Sequence, residues 1–175
     1  MNRAIRFAPL VLLFAIVAAL VWRLATPADT SVHSTMVGKV VPNFRPVAAT
    51  PEKGDFGSSD LAAGQPHLVN FFASWCVPCI GEAKVLSDLR GRGVSIYGIA
   101  VRDRPEDLAE FLARNGDPYQ LIASDPQSDI QIEFGSSGVP ESFIVDGRGV
   151  IKYQHIGPIE PSDEPMILAK FGKSR

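Results

Sequence analysis

The sequence predicts an α/β fold with helices layered on a central mixed sheet, and three observations predict it. Two apolar runs, 68–73 and 95–101, read as strands buried on both faces. The stretch between them, helical from Cys76, is long enough to cross back over the sheet, so the two strands run parallel in a right-handed βαβ unit. Residues 143–145 and 150–153, joined through Asp146-Gly147, read as a hairpin that adds antiparallel strands.

The N-terminus carries an address. Arg3 and Arg6 precede an uncharged stretch, 7–22, which is followed by Arg23 and a segment rich in Thr, Ser and Pro. These residues rise only about 24 Å as a helix, against about 30 Å of hydrocarbon, and snorkelling arginines at both ends make up the difference. Thr26-Pro27-Ala28 is a poor cleavage site and Arg23 stands awkwardly beside it, so residues 1–23 are expected to stay as a transmembrane signal anchor. Two arginines before the span against one after it place the N-terminus in the cytoplasm and the rest outside it. Residues 24–36 read as a flexible linker and 37–175 as one globular domain, long enough to bury a core.

Further along, Pro105 opens an amphipathic helix through Leu108, Phe111 and Leu112 that closes at Asn115-Gly116. A second crossover leads to Leu121-Ile122, and residues 166–171 form a short closing helix. Gly91-Arg92-Gly93 and Gly147-Arg148-Gly149 read as turns, and Phe111 and Phe134 as core. The 175 residues carry a net charge of −2 with their basic residues dispersed, and no glycine-rich phosphate motif appears. Nucleic acid is therefore not an expected partner.

Chemistry concentrates at the only two cysteines, Cys76 and Cys79, behind Ala73-Ser74-Trp75. Pro78, which lacks a backbone N–H, suits a first helical turn, so Cys76 falls at the helix N-terminus. Unpaired N–H groups and the positive end of the helix dipole favour its thiolate there. A thiol of pKa about 8.5 is roughly 3% ionised at pH 7, whereas one lowered to about 6.5 is roughly three-quarters ionised. Cys76 is thus the expected nucleophile, and Cys79, one turn inside and more buried, the resolving thiol. Four-cysteine zinc sites need two such pairs, and His33, His67 and His155 are all distant in sequence, so no metal is expected. The pair itself is the electron carrier, with no further cofactor. Copper(I) held by two soft thiolates is the rival from another class, and no Met or His beside the pair supplies the ligands such sites recruit.

Two acids could approach the disulfide. Glu82 lies three residues beyond Cys79, and Glu141 follows Pro140 in Gly138-Val139-Pro140-Glu141, just before the apolar run Ser142-Phe143-Ile144-Val145. A carboxylate in a partly buried site has a raised pKa and could accept the Cys79 proton during resolution; the competing reading is a solvated surface glutamate.

Trp-Cys-x-x-Cys after an apolar strand, followed by Val139-Pro140 before another, resembles the thioredoxin superfamily. Val37-Gly38-Lys39-Val40-Val41-Pro42-Asn43-Phe44, Asn70-Phe71-Phe72-Ala73-Ser74-Trp75-Cys76, Glu82, Gly98-Ile99, Pro105 through Asn115-Gly116-Asp117-Pro118-Tyr119 and Gly138-Val139-Pro140-Glu141 follow in order. Together they resemble the membrane-tethered thiol:disulfide interchange proteins of the DsbE or CcmG type, over roughly residues 37 to 157. The resemblance implies a thioredoxin-like fold with an extra N-terminal β extension and a βα insert. It implies a cis Pro140 against the cysteines, and Val139 pairing its backbone with an extended substrate beside Trp75. Phe72 where the family often has tryptophan, Ala100-Val101 where it has an asparagine-containing strand end, and Ser136-Ser137 where it has a tyrosine before glycine are departures around the site. Asp117 stands where asparagine is usual and adds a negative charge.

Outside the cytoplasm, a lone cysteine pair either oxidises substrates or depends on electrons delivered across the membrane. The resemblance implies reduction: keeping apocytochrome c cysteines reduced for haem attachment, with electrons from a membrane donor of the DsbD or CcdA type. It places the catalytic domain on the periplasmic side of a bacterial inner membrane, and cytochrome maturation proteins among its partners. A general exported disulfide reductase or oxidase is the alternative within the class.

Overall fold

A computed structural model describes residues 3–25, 35–45, 47–51 and 53–174. It divides into two units, Met1–His33 and Ser34–Arg175. The first holds helix α1, Arg3–Ala25, on which Phe7, Leu10, Phe14 and Trp22 are exposed. Among the described residues no helix is long and apolar enough to cross a membrane. Most of the expected linker, with Thr26-Pro27-Ala28, lies outside the described residues.

The second unit is built on β1 (His67–Phe72), α2 (Val77–Gly91), β2 (Ile96–Val101), α3 (Pro105–Asn115), β3 (Leu121–Asp125), α4 (Asp129–Glu133), β4 (Glu141–Val145), β5 (Ile151–Ile156) and α5 (Glu164–Lys173). The five strands form one sheet in the order β3-β2-β1-β4-β5. β1 pairs parallel with β2 and β2 with β3, as the helical crossovers require, while β4 runs antiparallel to β1 and β5 to β4. This is the expected mixed sheet flanked by helices.

β1 is central and all six of its residues are buried, because both faces of the sheet are covered. Leu68, Asn70 and Phe72 alternate with Val69 and Phe71, so the two sets point to opposite faces. One face packs Leu68 and Phe72 against Leu86 and Leu89 of α2, Phe111 of α3 and Ile167 and Phe171 of α5. The other packs Val69 and Phe71 against Phe134, Phe143 and Ile151. There Phe71, Phe134 and Phe143 meet edge to face at centroid separations of 5.2 to 5.6 Å. Burying each ring contributes roughly 2 to 3 kcal/mol.

The N-terminal β extension is made of single bridges, Val40 to Val150 and Ala48 to Ala123. Backbone bonds between Val41 and Gly149, and between Ser124 and Val47, place it along both outer strands of the sheet, whose free edges would otherwise invite pairing with other chains. Strand β3 with helix α3 forms the βα insert. Helix α4 has no counterpart in the sequence reading. At five residues it is too short to show a period, and it is held by the buried Asp125 carboxylate, which accepts from the Ile130 and Gln131 N–H groups at 3.3 and 2.9 Å. The closing helix starts earlier than expected, at Glu164, since Pro165 fits its first turn.

Candidate active site

The apolar strand β1 ends at Phe72, and Ala73-Ser74-Trp75 turns the chain into α2 with Cys76 as its N-cap. Cys76 has extended backbone angles, and its Sγ accepts from the Cys79 N–H at 3.2 Å, a capping contact that a serine hydroxyl makes elsewhere. Pro78 sits in the first turn, where no N–H is needed. Cys76 and Cys79 are joined as a disulfide. Both are nearly covered, at 4% and 2% exposed, so the difference in burial expected between them is slight. Trp75, Val77 and Ile80 stand exposed around them as an apolar rim.

The turn before Cys76 is braced from the end of β2. The Asp103 carboxylate accepts both the Ser74 N–H and the Ser74 hydroxyl, each at 2.6 Å. The Trp75 indole N–H donates to the Arg102 carbonyl at 3.2 Å. Arg102 holds φ +50°, a left-handed conformation that costs a non-glycine residue about 1 to 2 kcal/mol. Its N–H donation to the Asp125 carbonyl and the indole contact help hold it there.

Beneath the disulfide, on the α2 face of the sheet, lies a buried polar group of four side chains. Glu82 is 1% exposed, and its two carboxylate oxygens accept from Asn70 Nδ2 and from the Ile159 N–H, each at 3.0 Å. Burial pushes Glu82 up from the ordinary 4.5 to about 7, against those two hydrogen bonds, which lower it. Asn70 gives its second amide hydrogen to Ser142 Oγ at 3.0 Å and accepts the Tyr119 hydroxyl on Oδ1 at 2.8 Å. Burial, then the nearby Glu82 and Asp117, raise the Tyr119 phenol well above its ordinary range.

Glu141 is also 1% exposed but faces the other way. It precedes Ser142, whose side chain reaches Asn70, so Glu141 points to the opposite face of β4, the one that carries Phe143. Its Oε2 accepts from the Ser136 hydroxyl at 2.8 Å, the Ser137 N–H at 2.7 Å and the Ser137 hydroxyl at 3.1 Å, and Oε1 accepts from Gln154. It ties down the loop that carries Gly138, Val139 and Pro140. The Val139–Pro140 peptide bond is cis, and Val139 packs against the apolar cluster that contains both cysteines.

The structure therefore gathers Trp75, Cys76, Cys79, Glu82 and Val139 around the disulfide and sets Glu141 behind the sheet. Asn70, Tyr119, Ser142, Ser74 and Asp103 were missed from sequence. Asn70 left a signal, one amide inside an otherwise apolar strand, and an amide buried there must find partners. Among the described residues no group of three or more His, Cys, Asp or Glu side chains is placed to hold a metal ion.

Comparisons with known proteins agree with this geometry. The Redoxin family profile matches residues 36–169. The thiol:disulfide interchange protein DsbE of Escherichia coli K12 is 35% identical over 166 residues, covering 92% of this chain and 89% of that one. The thiol:disulfide interchange protein HelX of Rhodobacter capsulatus is 34% identical over 161 residues, covering 91% and 90%. Among solved structures, a thioredoxin-family thiol:disulfide interchange protein from Chlorobium tepidum superposes with TM-score 0.61 at 26% identity, over 76% of this chain and 96% of that one. StoA from Bacillus subtilis shares the fold, with TM-score 0.59 at 20% identity over 75% and 97%.

Proposed function

Because this chain belongs to the Redoxin family, as a thiol:disulfide interchange protein of the DsbE type, we propose that it is a reductant that keeps the cysteines of apocytochrome c reduced before haem attachment. It is a thiol-disulfide oxidoreductase with a thioredoxin-like fold. The observation that carries the finer reading is the Cys76–Cys79 pair at the start of α2 with the buried Glu82 carboxyl one turn further along.

In the reduced protein the α2 N-terminus favours the Cys76 thiolate. That thiolate attacks one sulfur of the substrate disulfide, and the other leaves as a thiolate. Cys79 then gives its proton to Glu82, and its thiolate attacks Cys76 Sγ and expels the second substrate sulfur, which takes up a proton. Two electrons pass to the substrate, and Cys76 and Cys79 end as the disulfide seen here. Trp75, Val77 and Ile80 form an apolar landing surface, and the Val139 backbone offers strand pairing to an extended segment. A membrane dithiol donor restores the pair by exchange, its own two thiols ending as a disulfide in each cycle.

Anchoring belongs to the same proposal. The exposed apolar side chains of α1 support association with lipid, with the catalytic unit on the periplasmic side. Tethering raises the local concentration of membrane-bound partners without any new contact.

The test is the reduction potential of the Cys76–Cys79 pair, followed by reduction of a disulfide-bonded apocytochrome haem-binding peptide. A potential nearer about −270 mV than about −120 mV, with the peptide reduced, is the expected outcome. A potential at the oxidising end would reverse the direction of electron flow and sink the reductant reading.

A further inference from the structure

We propose that Tyr119 and Asn70 are positioning residues for Glu82: the Tyr119 hydroxyl, donated to Asn70 Oδ1, turns the Asn70 amide so that Nδ2 faces Glu82, and this sets how firmly Glu82 holds the proton it takes from Cys79. The inference rests on the thiol exchange reading above and assigns residues that reading does not use.

The geometry leaves the amide one orientation. A primary amide has two donor hydrogens and one carbonyl, and all three functions of Asn70 are engaged, by Glu82 of α2, Ser142 of β4 and Tyr119 of the segment between α3 and β3. Inverting it would press Oδ1 against a carboxylate oxygen and turn Nδ2 to a phenol placed to donate. With Asn70 fully buried, no solvent would compensate the lost bonds.

The phenol is itself held in place. Its ring stacks on Phe72 at a centroid separation of 4.3 Å and lies over Gly98, where an added Cβ would come within 2.9 Å of Tyr119 Cδ1 and 2.8 Å of Phe72 Cε1. Ring, amide and carboxylate form a chain through the core to the helix turn that carries Cys79. The groups around Glu82 can be named element by element. On α2 the ionisable neighbours are the two cysteines, and beside β2 it is the Tyr119 phenol. Among the described residues, β1 gives Glu82 the neutral Asn70, which Ser142 of β4 holds from its other side, and the segment before α5 gives it the Ile159 N–H. Arg90 reaches the Asp117 and Tyr119 carbonyls instead, and among the described residues no cation forms an ion pair with Glu82. Proton affinity at Glu82 is then governed by burial and by donors, and among the described residues Asn70 is the one side-chain donor to it.

The step served is the resolving one. The Cys79 S–H proton moves to the Glu82 carboxylate; the Cys79 thiolate forms the bond to Cys76 Sγ, and the bond between Cys76 and the substrate sulfur breaks, its electron pair leaving on that sulfur. Glu82 must be ionised to accept the proton, so the rate rises through its titration.

The experiment follows the pH dependence of reduction of a small aryl disulfide by the reduced full chain, for wild type, Tyr119→Phe, Glu82→Gln and Phe111→Leu. Release of the second aryl thiol, which reports the resolving step, is expected in wild type to rise around the Glu82 value of about 7 and not to do so in Glu82→Gln, while the rise in first-thiol release that follows Cys76 ionisation stays in both. Tyr119→Phe should move the second-thiol rise up by about one pH unit, a loss of about fivefold at pH 7. Phe111→Leu, which loosens the same apolar cluster and removes no hydrogen bond from Glu82, should lower Tm and leave the midpoint in place. A Tyr119→Phe profile that overlies wild type, while Glu82→Gln loses the rise, would overturn the inference. A wild type that exchanges no disulfide would instead overturn the functional reading. A second measurement needs no variant: in the oxidised wild type the Asn70 side-chain amide protons should titrate with the Glu82 carboxyl midpoint in NMR, and resonances that do not move through it would overturn the inference on their own.

Discussion

Glu82 and Glu141 are equally buried, at 1% exposed, yet their carboxylates lie on opposite faces of the central sheet. One hydrogen-bonds to the strand beneath the disulfide, and the other to the loop that leads into Val139–Pro140. Two acids that look equivalent by distance from the motif therefore have separable effects.

Replacing Glu82 by Gln removes a titration from both activity and stability. The folded protein holds the Glu82 proton up to about 7, whereas an unfolded glutamate releases it near 4.5. Between those values the native state binds more protons, so the wild type loses stability as pH rises, by up to roughly 3 kcal/mol. Urea unfolding at pH 4.5 and pH 8 should show that contribution in wild type and lack it in Glu82→Gln, the difference between the two proteins growing by roughly 3 kcal/mol across the window.

Replacing Glu141 by Ala releases the Ser136 and Ser137 bonds and frees the substrate-pairing loop. Steady-state reduction of a peptide disulfide should then show KM raised several-fold with kcat little changed and no movement of the pH midpoint. Loss of the pH-dependent rise, as expected for Glu82→Gln, would show that Glu141 exchanges protons with the thiols.

The two cysteines differ by position in α2. Cys79→Ser should accumulate a mixed disulfide with substrate through Cys76, and Cys76→Ser should form almost none at pH 7, readable by intact-mass measurement. Equal trapping by both variants would contradict the assignment of Cys76 as nucleophile.

Asp103→Ala removes both acceptors of Ser74 and leaves a half-buried N–H with no protein partner. A loss of about 1 to 3 kcal/mol is expected, with faster amide exchange confined to 74–76. Uniform exchange across the sheet would assign Asp103 a global role instead.

Gly98→Ala places a methyl carbon 2.8 Å from Phe72 and 2.9 Å from Tyr119, both ring carbons in a packed core. Overpacking of this kind costs about 1 to 3 kcal/mol, and the ring should move off Asn70, so the Glu82 midpoint should rise with the loss in Tm. Thermal unfolding and the pH profile measured together separate the two effects.

By itself the sequence determined the reaction centre and the sheet. A Cys-x-x-Cys pair at the end of an apolar strand and the start of a proline-marked helix is a local arrangement, and local geometry puts the two sulfurs within bonding reach. The strands were legible because burial on both faces demands continuous apolar runs, and α3 because its apolar residues recur at the helical period. Tertiary structure alone decided which polar groups meet. Tyr119 reaches Asn70 across 49 residues and Ile159 reaches Glu82 across 77, and no spacing rule links positions so far apart. It also decided that Glu141 faces away from Glu82, because strand register fixes the face each residue takes and a shift of one residue would reverse it.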